Sequence, residues 1–86
     1  MKIEYSKSFQ KRAATVDAKI YKKLRERLQI FGIIPFHPLL NNHALTGEYL
    51  GCRSINITGD WRAIYRTKNP NIAEFLKLGT HSELYD

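Results

Sequence analysis

The sequence predicts an α+β domain in which two N-terminal helices pack on one face of a small, mostly antiparallel four-stranded sheet. Three observations carry this. Apolar residues recur at helical spacing over residues 6–31 and at strand spacing after Gly47. The turn signals Thr58-Gly59 and Lys68–Asn71 divide the second half into three runs rich in β-branched and aromatic residues. The chain has 86 residues, enough for one core but not two, so residues 1–86 are expected to form a single domain.

Taken in order, Lys2 to Tyr5 alternates polar and apolar residues, with Ile3 and Tyr5 on one side, and reads as a short strand. Ser6 is a good N-cap for a helical stretch to about Ala14, with Phe9 and Ala13 four apart on one face. Thr15 or Asp17 caps a second helix in which Tyr21, Leu24, Leu28 and Phe31 form an apolar stripe, and Gly32 stands where a C-cap glycine belongs. Its other faces carry Lys19, Lys22, Lys23, Arg25 and Arg27. Residues Ile33 to Thr46, with Pro35, Pro38, Asn41 and Asn42, read as a connecting loop. Tyr49 to Ile57, Trp61 to Thr67 and Ile72 to Leu78 then make a three-strand meander.

The charge is unevenly spread. Residues 1–31 hold nine Lys and Arg against Glu4, Asp17 and Glu26, which accounts for the whole net charge of +6. A polyanion, an acidic protein partner or a solvated helix face would each fit that excess. With Cys52 alone there is no disulfide framework and no thiol cluster for zinc. The histidines and carboxylates show no ligand spacing for a metal, and no glycine-rich phosphate loop occurs, so no cofactor is expected. The longest apolar stretch, Ile30 to Phe36, is far too short to span a membrane, and residues 1–12 lack the apolar run of a secretion signal. A soluble cytoplasmic protein is the expectation.

Strand alternation sets Asp60, Arg62, Ile64 and Arg66 against Trp61, Ala63 and Tyr65, and sets Ser54 and Asn56 against Ile55 and Ile57. With helices on the apolar face, Ser54, Asn56, Asp60 and Arg62 should line the uncovered one. His43 enters from the preceding loop, and the C-terminal GTHSELYD brings His81 and Tyr85 to the exit of the last strand. These residue types suit cleavage of RNA by its own 2′-hydroxyl. That reaction needs a base for the hydroxyl proton, an acid for the leaving 5′-oxygen and a cation beside the phosphate.

The segment from His43 to Tyr65, with its HxLxG opening and its DW step at Asp60-Trp61, followed by Gly79-Thr-His-Ser-Glu-Leu-Tyr85, resembles the RelE/ParE superfamily of bacterial toxins, most closely its YafQ-like branch. The resemblance implies a RelE-like fold and the toxin half of a type II toxin-antitoxin pair. YafQ-like members cleave messenger RNA in the ribosomal A site. Carried over by position, it makes His43, Asp60, His81 and Tyr85 the catalytic set, with His81 as general acid and Asp60 or His43 as base or its orienter. Arg62 resembles the strand arginine of RelE and would hold the phosphate. Asn56 departs from the pattern, since YafQ-like toxins carry a histidine there, and it is expected to hydrogen-bond substrate. Lys22, Lys23 and Arg27 would meet ribosomal RNA. The implied partners are the ribosome with its mRNA and a cognate antitoxin that folds on binding, with a toxin-antitoxin heterotetramer among the assemblies allowed.

Plainer readings accompany each residue. Tyr85 either stacks on an unstacked base or packs against the sheet. Trp61 reads as core. Arg53, which shares parity with Ile55 and Ile57, is expected to reach from the covered face to an acidic neighbour. His37 has no assigned role. A ParE-like poison of DNA gyrase that acts by binding is the rival to the nuclease, and a degenerate toxin that only binds antitoxin, suggested by Asn56, is a third reading.

Overall fold

The computed structural model describes residues 1–85. Its elements are strand β1 (Lys2–Tyr5), helices α1 (Lys7–Ala13) and α2 (Ala18–Ile33), strands β2 (His43–Ala44), β3 (Arg53–Asn56), β4 (Trp61–Asn69) and β5 (Ile72–Thr80), and helix α3 (His81–Tyr85). The strands form one sheet in the order β1-β5-β4-β3-β2. β1 runs parallel to β5, and every other pairing is antiparallel.

The helices begin where their caps dictate. The Ser6 hydroxyl accepts from the Phe9 N–H and donates to the Leu76 carbonyl on β5, so one side chain both caps α1 and ties it to the sheet. The Asp17 carboxylate accepts from the Ile20 N–H and starts α2. Gly32 does not end that helix. It lies within the last turn, and Ile34 is the C-cap. A Cβ at position 32 would stand in ordinary contact, 3.8 Å from Ile3 Cδ1, so α2 passes beside β1 without requiring the glycine.

Both helices cover one face of the sheet. Phe9 of α1 and Leu24 and Phe31 of α2 pack on Ile55, Ile57, Ala63, Tyr65, Ala73, Phe75 and Leu78. The rings interlock: the Phe31 centroid lies 4.8 Å from that of Tyr65 and 5.1 Å from that of Phe75, both edge-on. Phe31 is fully buried at this junction. Phe31→Ala is therefore expected to cost about 3–5 kcal/mol of stability, as the loss of a core aromatic does, read from the shift of a denaturant unfolding midpoint. Trp61 packs against the same core as expected, whereas Tyr21 of the predicted stripe is half exposed, because α2 turns that position toward the gap beside α1.

Several expectations change in the second half. The sheet has five strands, because His43 and Ala44 pair with Ser54 and Arg53 instead of remaining in the loop. The first meander strand is shorter than Tyr49 to Ile57: Gly47–Tyr49 forms a single 3-10 turn and Gly51 adopts φ +92°, a left-handed conformation that ends pairing on that side. β4 and β5 run on to Asn69 and Thr80, so the turn between them is shorter than Lys68–Asn71. The last residues form a helix that the alternation did not anticipate.

The face expected to be open is partly sealed. His43, Ser54 and Ile64 stand in register across three strands on the side away from α1 and α2, yet Ser54 and Ile64 are completely buried. Residues 43–49 and α3 converge over them, with the Tyr49 and Tyr85 rings 6.2 Å apart and edge-on. Among the described residues no helix is long and apolar enough to cross a membrane.

Candidate active site

Where the 43–49 segment meets α3, a cleft of about 300 Å³ opens, lined by Asn41, His43, Leu45, Arg62, His81 and Tyr85. Three of the four residues expected to act in catalysis, and the expected phosphate cation, thus share one hollow although they arise from three places in the chain, β2, β4 and α3.

His43 is held by its loop. Asn42 donates from Nδ2 to the Pro35 carbonyl at 2.9 Å and to the Tyr65 hydroxyl at 2.8 Å, while its Oδ1 accepts from Arg53 Nε at 2.8 Å. This anchors the loop to the core. Arg53 therefore meets Asn42 and the Phe36 ring, 5.1 Å from its Cζ, in place of the expected acidic neighbour. Asn41 adopts φ 45° and ψ 48°, the left-handed region that asparagine tolerates, and its carbonyl oxygen lies 2.8 Å from His43 Nδ1. A carbonyl can only accept, so Nδ1 carries the proton, and in the neutral ring Nε2 offers its lone pair. The Asn41-Asn42 pair, whose residue types alone signal a loop, thus sets the placement of His43.

Arg62 folds back over its own turn. Nη1 donates to the carbonyls of Thr58 at 3.0 Å and Trp61 at 3.1 Å, and Nη2 donates to that of Gly59 at 3.2 Å. All three acceptors are neutral. Among the described residues no carboxylate pairs with it, so its charge is directed by carbonyls but not neutralised. The remaining donors of its fork stay available to an anion.

His81 opens α3, and its backbone N–H donates to the Asp60 carbonyl at 2.9 Å. Its ring is exposed and lies 4.8 Å from the Tyr85 ring. Asp60 is joined to His81 through the main chain, but its exposed side chain is not part of the cleft wall. Tyr85 packs against the Tyr49 and His81 rings and also lines the hollow. Burial, the main cause, raises the Tyr49 hydroxyl pKa, with the Glu48, Tyr85 and Cys52 charges adding to it, so Tyr49 packs as a neutral ring.

Asn56 pairs in register with Arg62 but does not line the cleft, and its Oδ1 is buried without a hydrogen-bond partner. Ser54 Oγ and the Tyr85 hydroxyl are buried as well, without a hydrogen-bond partner among the described residues. Unsatisfied buried groups are uncommon, and these three cluster on the face that carries the site. Among the described residues no group of three or more His, Cys, Asp or Glu side chains could hold a metal ion.

The expected RNA-contacting residues of α2 lie on the opposite side of the sheet from the cleft. Lys22 and Lys23 are exposed, and Lys23 is 3.7 Å from Glu26. Arg27 is different: its side chain is only 16% exposed and Nη1 donates to the Leu39 carbonyl at 3.1 Å, so it fastens the loop after α2. If α2 meets ribosomal RNA, Lys22→Ala with Lys23→Ala should weaken ribosome association and flatten its salt dependence, since each lost phosphate contact removes about 0.7 to 0.9 from the slope of log affinity against log salt. Unchanged affinity and slope in a salt titration would make these lysines a solvated face. A larger groove, of about 410 Å³, lies between Tyr5 and the two helices, but its lining, with Phe9, Tyr21, Leu24, Arg25 and Leu28, holds no histidine or carboxylate.

A family-wide sequence profile described as "Bacterial toxin of type II toxin-antitoxin system, YafQ" matches residues 1–86. No curated protein matches the chain by sequence. Among solved structures, YafQ from E. coli is 25% identical, with 98% of this chain and 97% of that chain covered and a TM-score of 0.79. A chain of the E. coli DinJ-YafQ complex is 28% identical, with 98% and 97% covered and a TM-score of 0.68. A YoeB/ParE toxin from Agrobacterium tumefaciens, at 24% identity over 94% of this chain and 99% of its own, has a TM-score of 0.77 and shares the fold.

Proposed function

Because the chain belongs to the YafQ family of bacterial toxins of type II toxin-antitoxin systems, we propose that it is a ribosome-dependent mRNA endonuclease that cleaves RNA through the RNA's own 2′-hydroxyl. The observation that carries this reading is the common cleft of His43, Arg62, His81 and Tyr85. Two imidazoles on one hollow supply a base and an acid, and an arginine with no carboxylate partner among the described residues supplies the cation.

In this mechanism His43 Nε2, its lone pair directed outward by the Nδ1 contact to Asn41, removes the 2′-hydroxyl proton. The 2′-oxygen attacks the adjacent phosphorus. As the bond to the 5′-oxygen breaks, His81 donates a proton to that oxygen, leaving a 2′,3′-cyclic phosphate and a free 5′-hydroxyl. Arg62 stabilises the charge that gathers on the phosphoryl oxygens. Tyr85 offers a ring face to a base that has left the stack. Asp60 serves through its carbonyl, which accepts the His81 N–H, and Asn56, outside the cleft wall, backs Arg62 from the neighbouring strand and moves no proton.

An antitoxin that folds on binding would cover the cleft or the basic helices, and the E. coli DinJ-YafQ complex supports a partner of this class. The function is tested by inducing the chain in a bacterial host and mapping new RNA ends. Ends at a fixed position within codons, abolished when translation of the message is blocked, are expected. Gyrase-linked DNA breaks with intact mRNA would transfer the protein to the ParE-like reading.

A further inference from the structure

Arg12 belongs to α1, on the helical side of the molecule, yet its guanidinium reaches the C-terminal helix. Nη2 donates to both carboxylate oxygens of Glu83 at 3.1 Å, Nη1 donates to Thr15 Oγ1 at 3.0 Å, and Cζ stands 4.7 Å from the centre of the Trp61 ring. Glu83 in turn closes α3 at its start. Its Oε1 accepts from the Thr80 N–H at 2.8 Å, and its own N–H donates to Thr80 Oγ1 at 3.2 Å. This reciprocal arrangement is a capping box over Thr80-His81-Ser82-Glu83, and His81 lies inside it.

We propose that Arg12 is a positioning residue for His81, acting through Glu83 and the Thr80 capping box; the proposal rests on the nuclease reading of the cleft. A five-residue helix has no stability of its own and depends on tertiary anchors for its direction. Arg12 supplies the side-chain anchor that links α3 to the helical layer, and the Asp60 carbonyl supplies the main-chain anchor. The fit is close, because a Cβ at Gly79 would come within 3.3 Å of Glu83 Oε1 and of Leu84. The Thr80 N–H first, and then the Arg12 guanidinium, hold the Glu83 carboxyl below the usual carboxylate range, so it is charged and able to accept at neutral pH. Since the ion pair is partly exposed, its effect lies in geometry more than in global stability.

The test measures mRNA cleavage on programmed ribosomes together with amide exchange of the free protein. Arg12→Ala should lower kcat about 10- to 100-fold, the range expected when a reacting group drifts by an ångström, with KM little changed. Arg12→Lys, which keeps the charge but loses the fork, should fall between. On a His81→Ala background, Arg12→Ala should cause no further loss. Amides of residues 80–85 should exchange faster in Arg12→Ala while those of β4 and β5 before Thr80 stay protected. A variant that cuts at the wild-type rate, or a loss that appears in KM or adds fully to His81→Ala, would overturn the proposal and make Arg12 an RNA contact or a bystander. Wild-type protein that cuts nothing would overturn the nuclease reading itself. Unchanged exchange of residues 80–85 would separately refute the anchoring of α3 by Arg12.

Discussion

His81→Ala is expected to lose about 10² to 10⁴ of the mRNA cleavage rate while keeping its fold and its antitoxin. The size of the loss follows from removing the proton that the departing 5′-oxygen needs. The preserved fold follows from how His81 is held: the N–H that bonds the Asp60 carbonyl survives in alanine, and the exposed ring gives up only its contact with Tyr85. Single-turnover cleavage on programmed ribosomes measures the first part, and circular dichroism with an antitoxin titration measures the second. A folded His81→Ala protein that cuts as fast as the parent would remove the acid assignment.

His43→Ala should fall by a comparable factor, for the complementary reason that the 2′-hydroxyl proton then has no acceptor in the cleft. The side chain is exposed and its strand pairs with β3 through the backbone, so the loss should not come from unfolding. Asp60→Asn is the informative comparison. It leaves intact the carbonyl that receives the His81 N–H, and its side chain stands outside the cleft wall, so its rate should fall far less. If Asp60→Asn drops as far as His43→Ala in the same single-turnover assay, the base is the carboxylate and His43 has another task.

Much of this architecture was legible because it is written locally. Ser6 and Asp17 announce helix starts through a side chain and an N–H three residues on, and both do so here. The alternation from Ser54 to Tyr65 separated the two faces correctly, with Ile55, Ala63 and Tyr65 on the helices and Asn56 and Arg62 on the other side. Two local signals resolved differently. Gly32 lies inside α2, which runs on to the Ile34 cap, and Tyr49 leaves the strand where Gly51 turns the chain. The capping box at Thr80 is likewise written locally, as a Thr-x-x-Glu spacing, and opens a helix of only five residues.

By itself the sequence determined the layered α+β fold, the basic N-terminal half, the two faces of the sheet and the residues worth weighing as acid, base and cation. These depend on periodicity and on side chains a few positions apart, which any extended or helical segment reveals. Only the tertiary structure decided which of them meet. His43, Arg62 and His81 lie about twenty residues apart along the chain, and their approach depends on Asn42 fastening one loop to Tyr65, on Arg62 bending back over its turn, and on Arg12 reaching from α1 to Glu83. It likewise drew Asp60 out of the cleft wall, turned Arg27 from a surface charge into a loop fastening, and sealed Ser54 and Ile64 on the face expected to be open. The physical reason is that a periodic pattern specifies which way a side chain points from its own element. The distance between two elements is set by the packing of the whole core between them.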